Sequence, residues 1–149
     1  MALLAIIVAL ASGCSAYRMK SATDLPEARL ATIEPGFKFG FFILIGMVGG
    51  YEVEIRRIDG ESTPWWRGER AYAVAPGTHL VHYRVKYGFA TGTGSLWHCH
   101  DELQFEAQEG KQYILEADTD RDPVEALLKD KQINVIIARS ACENRGSFW

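Results

Sequence analysis

A short segment at residues 97–102 (WHCHDE) holds the densest group of reactive side chains in this sequence. If the segment is extended, His98 and His100 project to one face and Cys99 and Asp101 to the other. Two imidazoles in a His-x-His pair can bind a zinc or copper ion, so one hypothesis for this segment is a metal site. The alternative is two exposed strand histidines beside a disulfide cysteine. The further ligands that a metal site needs would come from Glu102, His79 or His82.

A second candidate site is a pair of tryptophans next to an arginine, Trp65, Trp66 and Arg67, in the turn-rich stretch 59–69 (DGESTPWWRGE). Exposed aromatic rings beside a guanidinium group can stack on sugars or anchor a protein partner. Alternatively, one tryptophan closes the end of the hydrophobic core. The binding interpretation predicts that both rings are substantially exposed.

Motifs of catalysis are absent from the sequence. It contains no Gly-x-Ser-x-Gly elbow, phosphate loop or zinc-protease helix. Residues 92–94 (GTG) have no helix pattern after them, and no two carboxylates stand out as an acid–base pair. We therefore expect a protein that is not an enzyme and needs no cofactor. A small hydrolase with an unrecognised site is an alternative.

The N-terminal residues 1–13 (MALLAIIVALASG) combine an apolar run with three small residues before Cys14. The run is about as long as the apolar part of a signal peptide and too short to span a bilayer. The pattern resembles the lipobox of bacterial lipoproteins. That resemblance implies a signal peptide cut before Cys14 and lipid, including palmitate, on this cysteine. The alternative is a buried N-terminal strand or helix with a core cysteine.

The residues after Cys14 indicate the membrane in which the lipid anchor would lie and the segment that would link it to the domain. Ser15 at the next position resembles the sorting pattern of outer-membrane lipoproteins. Residues 14–24 are polar and aperiodic, which predicts a lipidated tether. The predicted location is the cell envelope, with the protein anchored by lipid in the outer membrane and facing the periplasm.

Lipid on Cys14 would leave Cys99 and Cys142 as a pair of the three cysteines. An oxidising periplasm favours a disulfide between them, closing a loop of about 44 residues. The alternative is a redox-active or zinc-bound cysteine, although no Cys-x-x-Cys motif occurs.

The composition fits one globular domain of 149 residues, with 48% apolar and 23% charged residues. The net charge is −3, with no run of five like charges. A nucleic-acid-binding protein normally carries a basic excess, so this class is excluded. The expected partners are the membrane, through the lipid anchor, and an envelope protein or glycan.

Short extended runs separated by Gly, Pro and Asp turns predict an all-β fold, an antiparallel sandwich of about seven strands over residues 25–149. The clearest strand, residues 79–87, alternates apolar and polar side chains. We further predict a hairpin turn at residues 109–111 and a short helical turn near 123–128. The apolar run 37–48 predicts a strand buried on both faces, or else a segment facing a membrane or partner.

The order of these elements resembles PEGA-type and related carboxypeptidase-regulatory-like β-sandwich modules. The matching pieces are Asp-Gly at residues 59–60, Pro-Gly at 76–77, the alternating valines of 81–85 and the Gly-Lys turn at 110–111. The resemblance covers roughly residues 51–117. It implies an accessory surface domain without a shared active site, hence a non-enzymatic binding or scaffolding module.

Overall fold

In the computed structural model, the residues described are 16–42, 47–64, 71–90 and 96–147. The predicted signal peptide and Cys14 lie outside these ranges, as do Trp65, Trp66 and Arg67. The predictions made for those residues therefore stay predictions.

Two packed β-sheets make up the described structure. The first contains β1 (Tyr17–Arg18), β2 (Ala31–Pro35), β6 (Tyr72–Val74), β9 (Gln112–Asp118), β10 (Glu125–Asp130) and β11 (Val135–Ala141), side by side in the order β1-β6-β2-β9-β10-β11. The second contains β3 (Phe37–Phe42), β4 (Met47–Ile58), β7 (Gly77–Ala90), β8 (Leu96–Ala107) and β12 (Asn144–Ser147), in the order β12-β8-β7-β4-β3. The short β5 (Glu61–Ser62) pairs with β4. The helical segments in the described ranges are two single 3-10 turns, Lys20–Ala22 and Glu27–Arg29.

The predicted all-β sandwich is confirmed, with two differences in detail. The described residues contain twelve strands, more than the seven expected, because four of them have only two to four residues. The sandwich is also not wholly antiparallel, since β1 pairs with β6 and β2 with β9 in parallel. Strands this short give almost no periodic signal in a sequence.

Strand β7 displays the predicted alternation most clearly. Val81, Tyr83 and Val85 are at most 1% exposed and lie between the two sheets. Their neighbours in the sequence lie on the outer face because successive side chains of a strand point to opposite sides. Other strands of both sheets contribute the rest of the core, including Ile33, Val53, Ile55, Leu103, Phe105, Leu115 and Leu128.

The predicted turn at 109–111 is present, but it does not form a hairpin. Strand β8, before the turn, pairs with β7 and β12. Strand β9, after it, pairs with β2 and β10. The turn therefore carries the chain from the second sheet to the first. A local turn signal cannot distinguish this crossing from a hairpin, because both need the same tight change of direction.

Gly36 marks another crossing, between β2 in the first sheet and β3 in the second. Its N–H donates to the carbonyl oxygen of Leu115 at 2.7 Å, and its own carbonyl accepts from the N–H of Val53 at 2.9 Å. A Cβ atom at this position would lie 2.7 Å from the Leu115 carbonyl oxygen. The two sheets thus approach each other here too closely for any side chain.

The helical turn predicted near 123–128 is wrong, because this segment enters strand β10. Val124, Ala126 and Leu128 are buried in alternation with outward-facing residues. The Asp-Pro signal for a helix start is local, whereas β10 is fixed by pairing with β9 and β11 on its two sides. Long-range pairing therefore overrides the local preference.

The run 37–48 is not one strand buried on both faces. Strand β3 ends at Phe42 and β4 begins at Met47, and these two residues are paired across an antiparallel ladder. At the start of the run, Phe37 is 71% exposed and Lys38 is exposed. Residues 43–46, between the two strands, lie outside the described ranges.

The segment predicted as a tether, residues 14–24, is part of the folded domain from Ala16 onward. The N–H of Tyr17 donates to the carbonyl of Ala71 at 2.9 Å, and Met19 is 1% exposed. Ala22 is also fully buried. Met19 and Ala22 thus anchor this otherwise polar stretch in hydrophobic clusters of the domain.

Strand β11 forms one edge of the first sheet and is unusually exposed for its composition. Val135, Ile136 and Ile137 are 49%, 39% and 44% exposed, and Ile133 in the preceding turn is 61% exposed. Within the described residues, β11 pairs with β10 on one side and with no strand on the other. No charged residue occurs between Gln132 and Ala138.

The predicted disulfide joins Cys99 and Cys142, with an S–S distance of 2.07 Å and a Cα–Cα distance of 5.7 Å. Cys99 lies in β8 of the second sheet, and Cys142 follows β11 of the first. Both are fully buried, and the N–H of Cys142 donates to the carbonyl of Val124 at 2.7 Å. The bond therefore fixes the segment where the chain passes from one sheet to the other.

Replacing Cys142 by Ser should lower the free energy of unfolding by about 3–4 kcal/mol, because the unfolded chain regains the freedom of a long loop. Denaturant unfolding without reductant, monitored by tryptophan fluorescence, measures this loss. The control is Cys14→Ser, which leaves the bond intact and should change the midpoint little. Equal midpoints for the wild type and Cys142→Ser would contradict a stabilising bond.

Candidate functional site

The outer face of the second sheet contains an open cavity of about 530 Å³. Strands β4, β7 and β8 form its floor, and the residues after β5 form one wall. Thr63, in that wall, is fully buried, and its hydroxyl donates to the carbonyl of Ile55. Most of the lining side chains carry charge or an imidazole: Arg56, Arg57, His82, Arg84, His98, His100, Asp101 and Glu102.

Strand register arranges the outward-facing side chains in three rows across the sheet. Each row takes one residue from β4, one from β7 and one from β8, because the three strands are paired in antiparallel register. Side chains directly opposite each other on neighbouring strands have Cβ atoms about 5 Å apart and therefore interact. The rows are Arg57–His82–Glu102, Glu54–Arg84–His100 and Glu52–Lys86–His98.

A β-bulge in β4 places two consecutive arginines at the cavity. The register with β7 shifts between Ile55 and Arg57, so that Arg57 lies opposite His82. Both Arg56 and Arg57 line the cavity, whereas Ile58 returns to the core at 1% exposure. In a regular strand, two successive side chains would point to opposite faces, so the bulge doubles the positive charge here.

Glu54 is the central anion of this face. It is only 7% exposed, although it lies on the outer side of the sheet. Its carboxylate accepts from Nε of Arg84 at 2.8 Å and from an η nitrogen of Arg56 at 3.1 Å, and it also pairs with Nζ of Lys86. These long side chains cover the carboxylate and are held in place by it.

The pKa of Glu54 reflects two opposing effects. Burial raises it, but hydrogen bonds and charges from Lys86 and Arg84 lower it by more, so the net shift is downward. Glu54 is therefore ionised in the folded protein even under mildly acidic conditions. It provides a permanent negative charge beneath the cavity.

The other two carboxylates of the cavity also have partners. Glu102 lies 3.1 Å from Nδ1 of His82. Asp101 accepts from the backbone N–H of Glu102 at 2.8 Å and from that of Glu143 at 3.2 Å. Neither carboxylate is placed as an isolated general base.

Two donors in the cavity differ from the rest. Within the described residues, the side chains of Arg57 and His100 have no hydrogen bond and no ion pair, and both are exposed. They come from β4 and β8, on either side of β7. The cavity thus combines satisfied carboxylates with donors that lack an acceptor.

Tyr83 lies at the edge of the cavity and is otherwise buried in the core. Burial, together with the charge of Asp101, raises its pKa to about 12. The phenol is therefore protonated at neutral pH and cannot serve as a base there.

The predicted metal ligands are only partly brought together. His98 and His100 share the outer face, and Cys99 points into the core, as the extended segment predicted. His79 lies on the opposite face of β7, where its ring nitrogens contact Asp59 at 2.6 Å and the Ala75 carbonyl at 2.7 Å. Among the described residues, no group of three or more His, Cys, Asp or Glu side chains is arranged to hold a metal ion.

Sequence reasoning did not single out Glu54 or Arg84 as part of a site. Their signal was the alternation of residues 51–58 and 79–87, which places charges on the outer face of two strands. What it could not reveal was that these two strands are neighbours in register.

No known protein family, curated protein or solved structure matches this chain. The resemblances to the lipobox and to PEGA-type modules thus stay predictions. Across the described ranges, none of the helical segments is long and apolar enough to cross a membrane.

Replacing Glu54 by Gln should lower the free energy of unfolding at neutral pH by about 1–3 kcal/mol, because three cations lose a buried partner. The lowered pKa means that this contribution is complete above about pH 5 and is lost as the pH falls through the folded-state value. The difference in the free energy of unfolding between wild type and Glu54→Gln, measured by urea unfolding from pH 3 to 7, should therefore shrink in acid.

The matched control is Glu52→Gln, which removes an exposed carboxylate 3.4 Å from the same Lys86. Its cost should stay below about 1 kcal/mol at every pH. If Glu54→Gln lowered the free energy of unfolding by the same amount at pH 3 and pH 7, the role of the ionised carboxylate would be contradicted.

Proposed function

We propose that this protein is a lipid-anchored, non-enzymatic binding module of the cell envelope, and that the cavity on the outer face of the second sheet is its contact surface. The observation that carries the proposal is that Arg57 and His100, both exposed in this cavity, have no acceptor among the described residues. The carboxylates nearby are held in internal pairs, which suits recognition of a partner better than proton transfer.

The short link to Cys14 supports the anchor. Only Ser15 separates this cysteine from Ala16, the first residue that the structure describes. Two residues span at most about 7 Å, so lipid on Cys14 would hold the domain directly at the membrane surface. Several acyl chains make such an anchor effectively permanent.

The disulfide supports an envelope location. Bonds of this kind persist in oxidising compartments such as the periplasm and are rare in the cytosol. The outer membrane, facing the periplasm, is the location we propose from Ser15.

The predicted binding segment is adjacent to the cavity in the sequence. Thr63 lines the cavity, and Trp65, Trp66 and Arg67 follow it after a single proline. An envelope protein or a glycan is the partner class that this combination of charge and aromatic rings favours.

The anchor predicts that cells given radiolabelled palmitate incorporate the label into the wild-type protein. Cys14→Ser should lose the label entirely, because the thiol is the attachment site. Ser15→Ala, a neighbouring change that leaves the thiol in place, should keep it. Full labelling of Cys14→Ser would overturn the anchor.

The contact surface predicts site-specific crosslinking in intact envelopes. A photo-crosslinking amino acid at Ser62, an exposed residue that lines the cavity, should give a discrete adduct after irradiation. The same amino acid at Glu109, an exposed turn residue away from the cavity, is the control and should not give this adduct. Identical adducts from both positions, or none from either, would contradict the cavity as the contact surface.

A further inference from the structure

We propose that the cavity binds a tetrahedral oxyanion, the phosphate or sulfate group of a larger ligand, with Arg57 and His100 as its two principal donors. The inference rests on the proposed function, because it names the ligand chemistry of the same surface.

The pairing of charges around the cavity leaves two donors without a carboxylate partner among the described residues. Glu54 pairs with Arg56, Arg84 and Lys86, and Lys86 also contacts Glu52. Glu102 and Asp101 are occupied by His82 and by two backbone amides. Among the described residues of the cavity, no carboxylate pairs with Arg57 or His100, so both donors are open to an anionic ligand.

The positions of these donors favour an anion held between them. Arg57 in β4 and His100 in β8 lie two strands and one row apart, which places their Cα atoms about 12 Å apart on an ideal sheet. Both side chains line the same cavity, so each can contact an anion that lies between them. An anion between them would lie above Arg84 and His82, the β7 residues of the two rows.

The geometry also selects the type of anion. A carboxylate presents both oxygens along one edge and suits a single guanidinium fork. Donors that approach from opposite sides need an acceptor whose oxygens point in several directions. A phosphate or sulfate group meets this need, and arginine binds such groups through paired N–H donors.

Glu54 prepares the site without contacting the ligand. It holds the side chains of Arg84 and Arg56 in fixed positions at the floor of the cavity, so little side-chain freedom remains to be lost on binding. Its negative charge is covered by these cations and lies below them, away from the opening.

The test is calorimetric titration of the purified full-length lipoprotein in neutral detergent with inorganic pyrophosphate at constant ionic strength. We expect saturable binding that weakens about 10-fold or more in Arg57→Gln and in His100→Gln, since a hydrogen bond to a charged group contributes about 1.5–3 kcal/mol. The matched control is Arg139→Gln, an exposed arginine of β11 in the other sheet, which should bind like the wild type.

Competition experiments identify the anion and its source. Sulfate should compete with pyrophosphate, and acetate should not. Detergent micelles containing phosphatidylglycerol test a lipid headgroup: competition by these micelles supports the site with a lipid phosphate as ligand, and no competition supports a soluble or glycan-borne group.

Absence of pyrophosphate binding, equal binding by Arg57→Gln and wild type, or competition by acetate as strong as that by sulfate would each overturn the proposal. The crosslinking at position 62 leaves both proposed donors in place and is therefore independent of these results. A discrete adduct without pyrophosphate binding would leave the proposed function standing and remove only its ligand chemistry.

Discussion

Strand β7 is the constraint on which both the core and the cavity depend. It is paired with β4 on one side and β8 on the other along most of its length. Its inward residues, such as Tyr83, lie in the core, while its outward residues, such as Arg84, form the middle of the charged rows. A slip of one residue would exchange these two faces. Burial of the apolar face therefore fixes the position of every charged group in the cavity.

Several features could be predicted from the sequence because their causes are local or periodic. The alternation of residues 79–87 indicates which side chains of β7 are buried, and Asp59-Gly60 indicates where β4 ends, with both residues at positive φ. The pairing of Cys99 with Cys142 was expected because the lipobox resemblance assigns Cys14 to lipid and leaves one pair. In each case the signal lies in the sequence itself, so that no knowledge of strand neighbours is needed.

The remaining features depend on which strands meet. Residues 125–130 lie between two partner strands, and this pairing outweighs their helix-like start at Pro123. Met19 anchors a segment whose composition is typical of a linker. The burial of Glu54 also arises only when β4 and β7 are side by side, because its cationic partners come largely from the other strand. Contacts between distant parts of the chain decide these cases.

The exposed edge at β11 has a consequence for how the molecule meets other chains. An edge strand offers a row of backbone N–H and C=O groups, and proteins usually discourage additions to it with charges, prolines or covering loops. The stretch from Gln132 to Ala138 has neither charge nor proline. Among the described residues, the outer side of β11 therefore keeps backbone groups of the kind to which a further strand can be added. These groups belong to the first sheet, whereas the charged cavity lies on the outer face of the second.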